Sequence, residues 1–204
     1  MFNKDKIAEN QKRIDRCKQK GVKIFLNKDE VSHIKDLAKD CMIAKLTGKT
    51  KNCFNYKQEA AGLYERWIRG FAGEMACEKL LNTEIIEWVA DDQSHEHPDI
   101  LSINVGVKTA RTCDCHLLEK IQTYPQILCI CDFNGKTEEG YVWILGLATP
   151  EVMMSHQDDE LILSRKVYAA GYKTGFWGYD NLLDISNCHS LIELTEVINN
   201  EKEN

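Results

Sequence analysis

The chain has 204 residues, of which 43% are hydrophobic and 28% charged, with a formal net charge of -6. This size and composition suit one compact globular domain with an extra lobe. No apolar run approaches the roughly 20 residues that span a bilayer, and the charged N-terminus does not resemble a signal peptide. We therefore expect no membrane partner and a cytoplasmic location.

The first part of the chain is basic and is predicted to be helical. Residues 1–57 carry 15 Lys and Arg against 7 Asp and Glu, and the remainder carries 11 against 25, which together give the 26 and 32 of the whole chain. Helices are predicted over 4–20, ending at Gly21, and after a capping box formed by Asn27 and Glu30. These features predict a basic helical N-terminal lobe over 1–57 and a core over 58–204, although a basic segment can also be a solvated, salt-bridged helical hairpin.

The core combines a helix with a run of strands. A helical stretch from about Tyr56 to Leu81 is interrupted by Gly70 and Gly73, where we expect a break or bend. Strand patterns follow, with an Asn134-Gly135 hairpin signal between two of them and a short helix opening at Pro150. The predicted strands cover 84–89, 100–110, 126–133 and 140–148, and 191–198 is helical or strand-like. The fold class is therefore α/β, an α+β mixed sheet of four or five strands flanked by helices.

A candidate catalytic motif lies in the middle of the chain. Pro98 and Asp99 are followed by Lys108 at the end of a strand-like run, with Gly106 two residues before the lysine. Alternate strand residues share a face, so the side chains of residues 106 and 108 point the same way. Carboxylates that hold Mg²⁺ beside a lysine that positions the attacking water are the groups that phosphodiester hydrolysis needs. Gly106 stands where a second carboxylate is expected.

This stretch resembles the PD-(D/E)XK nuclease superfamily, which is restriction-endonuclease-like in fold and places a Pro-Asp on one strand and acid-x-Lys on the next. The helix GFAGEMACEKLL (70–81) is similar to the one that many members place before the core strands, with Glu74 as the matching acid. The resemblance covers about residues 70–152. It implies a restriction-endonuclease-like core and a Mg²⁺ cofactor, with Mn²⁺ as the alternative metal.

The resemblance also implies roles for individual residues. Asp99 and Glu74 would be metal ligands, and Lys108 would position the water. Some members carry the second acid on the helix after the lysine strand, where Glu119 is the best candidate, and the carbonyl of Val107 can also bind metal. The alternative is that these residues have no catalytic role: Glu74 and Glu119 are solvated helix residues, and Lys108 is an ordinary lysine at the end of a strand.

Other chemistry-bearing residues are weaker candidates. Cys113, Cys115 and His116 form a loop cluster, but structural zinc sites usually show C-x2-4-C pairs, which this stretch lacks. The chain has nine cysteines, an odd number, which with no export signal favours reduced thiols. Arg111 and Lys173 flank predicted strand ends and could bind a phosphate backbone.

Two functions remain open at this stage. The first is a Mg²⁺-dependent nuclease that hydrolyses DNA in restriction, repair, recombination or phage-host conflict, with a homodimer as one option. The second is a catalytically degenerate module of the same fold that binds nucleic acid or a protein partner, with Gly106 marking the lost chemistry.

Overall fold

The computed structural model describes residues 2–46, 60–84 and 98–202. Within these ranges, no helix is long and apolar enough to cross a membrane. The helices are α1 (Lys4–Lys20), α2 (Lys28–Leu46), α3 (Ala60–Leu81), α4 (Pro150–Ser155), α5 (Arg165–Ala170) and α6 (Leu191–Lys202). The strands are β1 (Val22–Leu26), β2 (Gly106–Ala110), β3 (Leu117–Glu119), β4 (Gln126–Ile130), β5 (Gly140–Ala148), β6 (Gln157–Asp158) and β7 (Lys173–Phe176).

The strands form a mixed four-stranded sheet, in the order β1-β5-β4-β2, and a small sheet in the order β3-β7-β6. In the main sheet β2 and β4 are parallel, whereas β5 is antiparallel to both β4 and β1. The predicted α/β class with a four-stranded mixed sheet is therefore confirmed. The predicted hairpin around Asn134-Gly135 is also confirmed, since β4 and β5 are its two arms.

The main sheet has a hydrophobic core on each face. Ile127 and Cys129 of β4 belong to the core that contains side chains of α2, α3 and α6. Leu128 and Ile130 belong to the second core, which is built with α1 and the small sheet. This division follows from the alternation of side chains along a strand. Both faces of β4 are covered, which explains its near-continuous apolar sequence.

The N-terminal segment confirms the predicted helix over 4–20 and the predicted start of the second helix, but it is not wholly helical. The Asn27 side chain accepts from the Glu30 N–H at 3.0 Å, and the Glu30 side chain accepts from the Asn27 N–H at 2.7 Å, which is the predicted capping box. Between the helices lies β1, which was not predicted and pairs with β5. The division at 57 and 58 lies outside the described residues and stays a prediction.

Helix α3 runs without interruption through Gly70 and Gly73, so the predicted break is wrong, while the alternative of a bend stays a prediction. The reason is packing. A Cβ atom on Gly73 would lie 1.9 Å from the Oγ1 atom of Thr109 on β2. Glycine at this position lets the helix backbone approach the sheet closely, and the helix remains intact because the packing compensates for glycine's low helix propensity.

The strand predicted over 100–110 is shorter than expected. Leu101–Ile103 form a single 3₁₀ turn, and Asn104 has a left-handed backbone with φ 56°. Ile100 and Val105 pair across this turn, with N···O distances of 2.8 and 3.2 Å. The alternating sequence therefore contains a tight reversal, and β2 begins only at Gly106. The strand predicted over 84–89 lies, apart from its first residue, outside the described residues.

Candidate active site

Asp99 lies beside the strand that carries Gly106, Val107 and Lys108. It sits in the bend before the 3₁₀ turn, not on a neighbouring strand as the sequence had suggested. Its Oδ2 atom accepts a hydrogen bond from the Val107 N–H at 2.5 Å. Since β2 is the outermost of the described strands on its side of the sheet, Asp99 flanks this edge. Asp99 and Lys108 therefore belong to one local site.

Glu74 and Asp99 are near enough for their charges to interact, and we call the two the carboxylate pair. Glu74 follows Gly73, the contact point of α3 with β2. Burial, with repulsion from Asp99 and then Glu78, raises the pKa of Glu74 to about 8. Burial also raises the pKa of Asp99, against the hydrogen bond from Val107 and the attraction of Lys108. The Asp99 residue retains exposure to solvent, which leaves its carboxylate accessible to a ligand.

Lys108 lies in the middle of β2 and is half-buried. Burial lowers its pKa, while the negative charges of Glu119 and Asp99 act in the opposite direction. Side chains alternate along β2, so Lys108 points to the opposite face from Thr109, which contacts α3. Asp99 at the strand edge thus interacts with Glu74 and with Lys108.

His116 holds the main chain of Lys108 in place, a role that the sequence did not indicate. The buried imidazole contacts the carbonyls of Lys108 and Cys129 through Nε2, at 3.1 and 2.9 Å. Its Nδ1 lies 2.9 Å from the Tyr179 hydroxyl, and burial lowers the pKa of His116 to about 4. Both ring nitrogens are engaged by protein groups, so the imidazole links the parallel strands β2 and β4 and has no nitrogen left for zinc.

Gly106 faces the site, but its neighbourhood is filled. A Cβ atom at this position would lie 3.5 Å from Asp99 Oδ2 and 2.9 Å from Cε2 of Tyr124. Residue 106 is thus where a carboxylate would meet Asp99, as the motif predicts. The ring of Tyr124 lies against the backbone there instead. No local sequence signal identifies Tyr124, because its contact arises from the parallel pairing of β2 with β4.

Glu119 lies on β3, opposite Lys173 of β7, and not on a helix as predicted. The segment forms a strand because it pairs with β7, and the pairing continues in the hydrogen bond from Lys120 N–H to the Tyr172 carbonyl at 3.2 Å. Glu119 attracts both Lys108 and Lys173. Burial, with repulsion from Lys108 and Arg66, lowers the pKa of Lys173 to about 8. The charges of Lys173 and of Arg66 on α3 interact with that of Lys108, so both residues belong to the same site. No sequence motif indicates Arg66.

Across the described ranges, no group of three or more His, Cys, Asp or Glu side chains is placed to hold a metal ion. Glu119 does not join Glu74 and Asp99 in such a group, so nothing in the described residues supports its predicted role as a ligand. The donors present are two carboxylates and the carbonyl of Val107, which points to the same side of the strand as its N–H. Oxygen donors suit Mg²⁺ or Mn²⁺, and a cation would offset the burial that raises both carboxyl pKa values and the repulsion from Asp99 that adds to the rise at Glu74.

The remaining predicted residues are engaged elsewhere. Arg111 is exposed and forms an ion pair with Asp114 at 2.7 Å. Cys115 donates to the Leu161 carbonyl at 3.5 Å, and burial raises the pKa of its thiol to about 12.

Comparisons of the chain with protein-family models, with curated proteins and with solved structures gave no match in any of the three. The chemistry of the site is therefore inferred from its own residues.

Proposed function

We propose that the protein is a metal-dependent nuclease that hydrolyses phosphodiester bonds of DNA, with Mg²⁺ or Mn²⁺ as cofactor. The observation that carries this proposal is the position of Asp99, whose carboxylate interacts with Glu74 and with Lys108 beside one short strand. Paired carboxylates next to a lysine are the groups that such hydrolysis uses. The resemblance of Pro98-Asp99 and Lys108 to the PD-(D/E)XK motif supports the same chemistry.

Each residue has a defined part in this proposal. Glu74, Asp99 and the Val107 carbonyl would hold the divalent ion, which when bound polarises a phosphate and lowers the pKa of its water. Lys108 offsets negative charge on the phosphate and orients the attacking water through its ammonium group. Its lowered pKa brings proton exchange closer to neutral pH, as general acid-base work requires. Lys173 and Arg66 offer further positive charge to the phosphate backbone.

One observation favours the second candidate, a catalytically degenerate module that binds DNA or a protein. Tyr124 fills the space next to Gly106, where the motif has its second acid. A site with two carboxylates has less negative charge to hold a hard cation than a site with three. In this alternative the basic residues still bind phosphate groups, but no bond is cleaved.

The decisive experiment measures cleavage and metal binding on the same variants. Wild type, Asp99→Asn, Glu74→Gln and Lys108→Ala are assayed on DNA and RNA with Mg²⁺ or Mn²⁺, and metal binding is followed by calorimetry. Loss of a residue that only supports a metal ligand typically reduces metal affinity or activity by about 10- to 100-fold. Loss of a ligand should therefore reduce cleavage by at least roughly 100-fold and abolish the heat of metal binding. Lys108→Ala should reduce turnover while metal binding persists.

Glu65→Gln, on the same helix as Glu74, is the matched control and should behave as wild type. A wild type that binds DNA but neither binds metal nor cleaves any substrate would refute the nuclease and support the degenerate module. A homodimer remains part of the proposal, and sedimentation analysis of the full chain tests it.

A further inference from the structure

A solvent-facing group of aromatic rings and lysines lies near the edge strand β1 of the main sheet, whereas the carboxylate pair lies near the opposite edge strand, β2. Lys23 is paired with Trp143 and Phe25 with Tyr141, across β1 and β5. All four side chains share one face because they alternate with Ile24 and Val142, which pack on the opposite side. We call Phe25, Tyr141, Trp143, Lys23 and Lys18 the aromatic face.

The rings of the aromatic face are close to one another and accessible. The Phe25 and Tyr141 centroids lie 5.2 Å apart, and those of Tyr141 and Trp143 lie 6.3 Å apart. Phe25 is 41% exposed and Tyr141 is 43% exposed. Helix α1 covers the adjacent part of this face through Ile14 and Cys17 but ends at Lys20. Beyond that point the aromatic face is open to solvent.

Positive charge lies directly on these rings. The Nζ atom of Lys23 is 3.8 Å from the Tyr141 centroid, and that of Lys18 is 4.0 Å from the Trp143 centroid. Glu138, two residues before the start of β5, is an acid that forms an ion pair with Lys28 at 3.2 Å. The aromatic face therefore combines flat apolar surfaces with ammonium groups, which complements a partner that has both flat rings and negative charge.

We propose that the aromatic face binds single-stranded nucleic acid, with unpaired bases stacked on Phe25 and Tyr141 and backbone phosphates on Lys18 and Lys23. Aromatic side chains in a positively charged groove bind single strands by this combination. A duplex keeps its bases stacked on one another and offers them no free ring face. Cation–π contacts at exposed sites are weak, so Lys23 can leave the Tyr141 ring for a phosphate while a base takes its place.

The inference rests on the proposed function only in that both assign a nucleic-acid partner. Binding at the aromatic face needs neither metal nor cleavage. The aromatic face is also separate from the carboxylate pair, because β1 and β2 are the outermost described strands at opposite edges of the main sheet. The aromatic face would hold a single-stranded part of the substrate away from the carboxylate pair. A substrate with both duplex and single-stranded parts would fit this arrangement.

The test measures binding of the full chain to labelled oligothymidine and to a duplex of the same length, by fluorescence anisotropy in EDTA. Tyr141→Ala and Phe25→Ala should each weaken single-strand binding by about 5- to 100-fold, while Tyr141→Phe retains the stacking ring and binds nearly as wild type. Lys23→Gln should reduce the dependence of affinity on salt. Tyr168→Ala, which removes an exposed tyrosine on α5, is the control and should have no effect.

Unchanged single-strand affinity in both Tyr141→Ala and Phe25→Ala would overturn the inference. So would equal losses of duplex and single-strand affinity, or a change in sedimentation that shows the face to join two copies of the chain. These outcomes are independent of the nuclease proposal, because no metal is present. A protein that binds oligothymidine through this face but cleaves nothing would keep the inference and refute the nuclease.

Discussion

The carboxylate of Asp99 accepts a hydrogen bond from the Val107 N–H at 2.5 Å, midway between Gly106 and Lys108. This contact fixes the acid to the edge of β2, where it repels Glu74 and attracts Lys108. The missing side chain at residue 106 would have pointed at the same carboxylate. At residue 106, where the proposed nuclease motif has its second acid, the ring of Tyr124 occupies the space beside the backbone.

Restoring an acid at residue 106 is expected to destabilise the protein unless Tyr124 is also shortened. A Cβ atom there would lie 2.9 Å from the tyrosine ring, and such overpacking costs about 1–3 kcal/mol. Gly106→Glu should therefore lower the urea midpoint of unfolding, and the double variant with Tyr124→Ala should recover part of the loss. Gly62→Ala, where the structure has open space, is the control for replacing glycine.

If Gly106→Glu alone is as stable as wild type, the tyrosine ring moves freely and does not block the position. Cleavage assays on the double variant then show whether a third carboxylate raises activity.

The contribution of Glu74 to the stability of the metal-free protein should fall as pH rises from about 4.5 through about 8. The pKa of Glu74 rises from 4.5 to about 8 on folding, so in this range the folded state keeps a proton that the unfolded state has lost. Between about pH 4.5 and 6.5 His116 acts in the opposite direction. Thermal unfolding should therefore show the decline from about pH 6.5 to 8, and Glu74→Gln should flatten it. Mg²⁺ should stabilise the folded protein against thermal unfolding most at the alkaline end of this range, where both carboxylates are ionised.

Protection by Mg²⁺ that is equal at pH 5 and at pH 9 would contradict metal binding by this pair. Chelation with EDTA should reverse the protection, since the effect depends on the bound ion.

His116 should make the fold sensitive to acid. Its pKa falls from 6.5 to about 4 on folding, so the unfolded state takes up a proton first as pH decreases. Stability is lost as pH falls from 6.5 towards 4, by up to about 3 kcal/mol. Glu74 acts in the opposite direction over most of this range, so the loss is measured by urea unfolding of Glu74→Gln. Adding His116→Gln should reduce the pH dependence, and adding exposed His189→Gln is the control. At neutral pH, His116→Gln should also be less stable, because the carbonyls and the Tyr179 hydroxyl lose partners.

Glu119 is expected to act through Lys108 and Lys173 and not as a metal ligand. Its negative charge raises the pKa of both lysines, so Glu119→Gln should lower these values further. Mg²⁺ binding measured by calorimetry should persist, while the alkaline limb of the cleavage profile shifts to lower pH. Glu151→Gln, exposed on α4, is the control. A loss of the Mg²⁺ heat as complete as in Asp99→Asn would show that Glu119 is a ligand after all.

The sequence by itself determined the elements whose signals are local. Helix α1 ends at Gly21, and the Asn27 and Glu30 side chains form the capping box that the spacing predicts. The hairpin of β4 and β5 follows from a turn signal between two apolar runs. The class of the fold could be predicted because these patterns depend on a few neighbouring residues. Asp99 and Lys108 could likewise be selected, because motif spacing is a property of the sequence.

Only the tertiary structure decided the rest, because those features depend on partners far along the chain. β1 is only five residues long, and it forms a strand because β5 lies beside it. The sequence predicts a break or bend at Gly73, but in the structure this glycine lets α3 approach Thr109 of β2 closely. Glu119 becomes a strand residue by pairing with β7. Tyr124 and His116 reach the site because parallel pairing brings β2 next to β4, and no local pattern encodes that long-range contact.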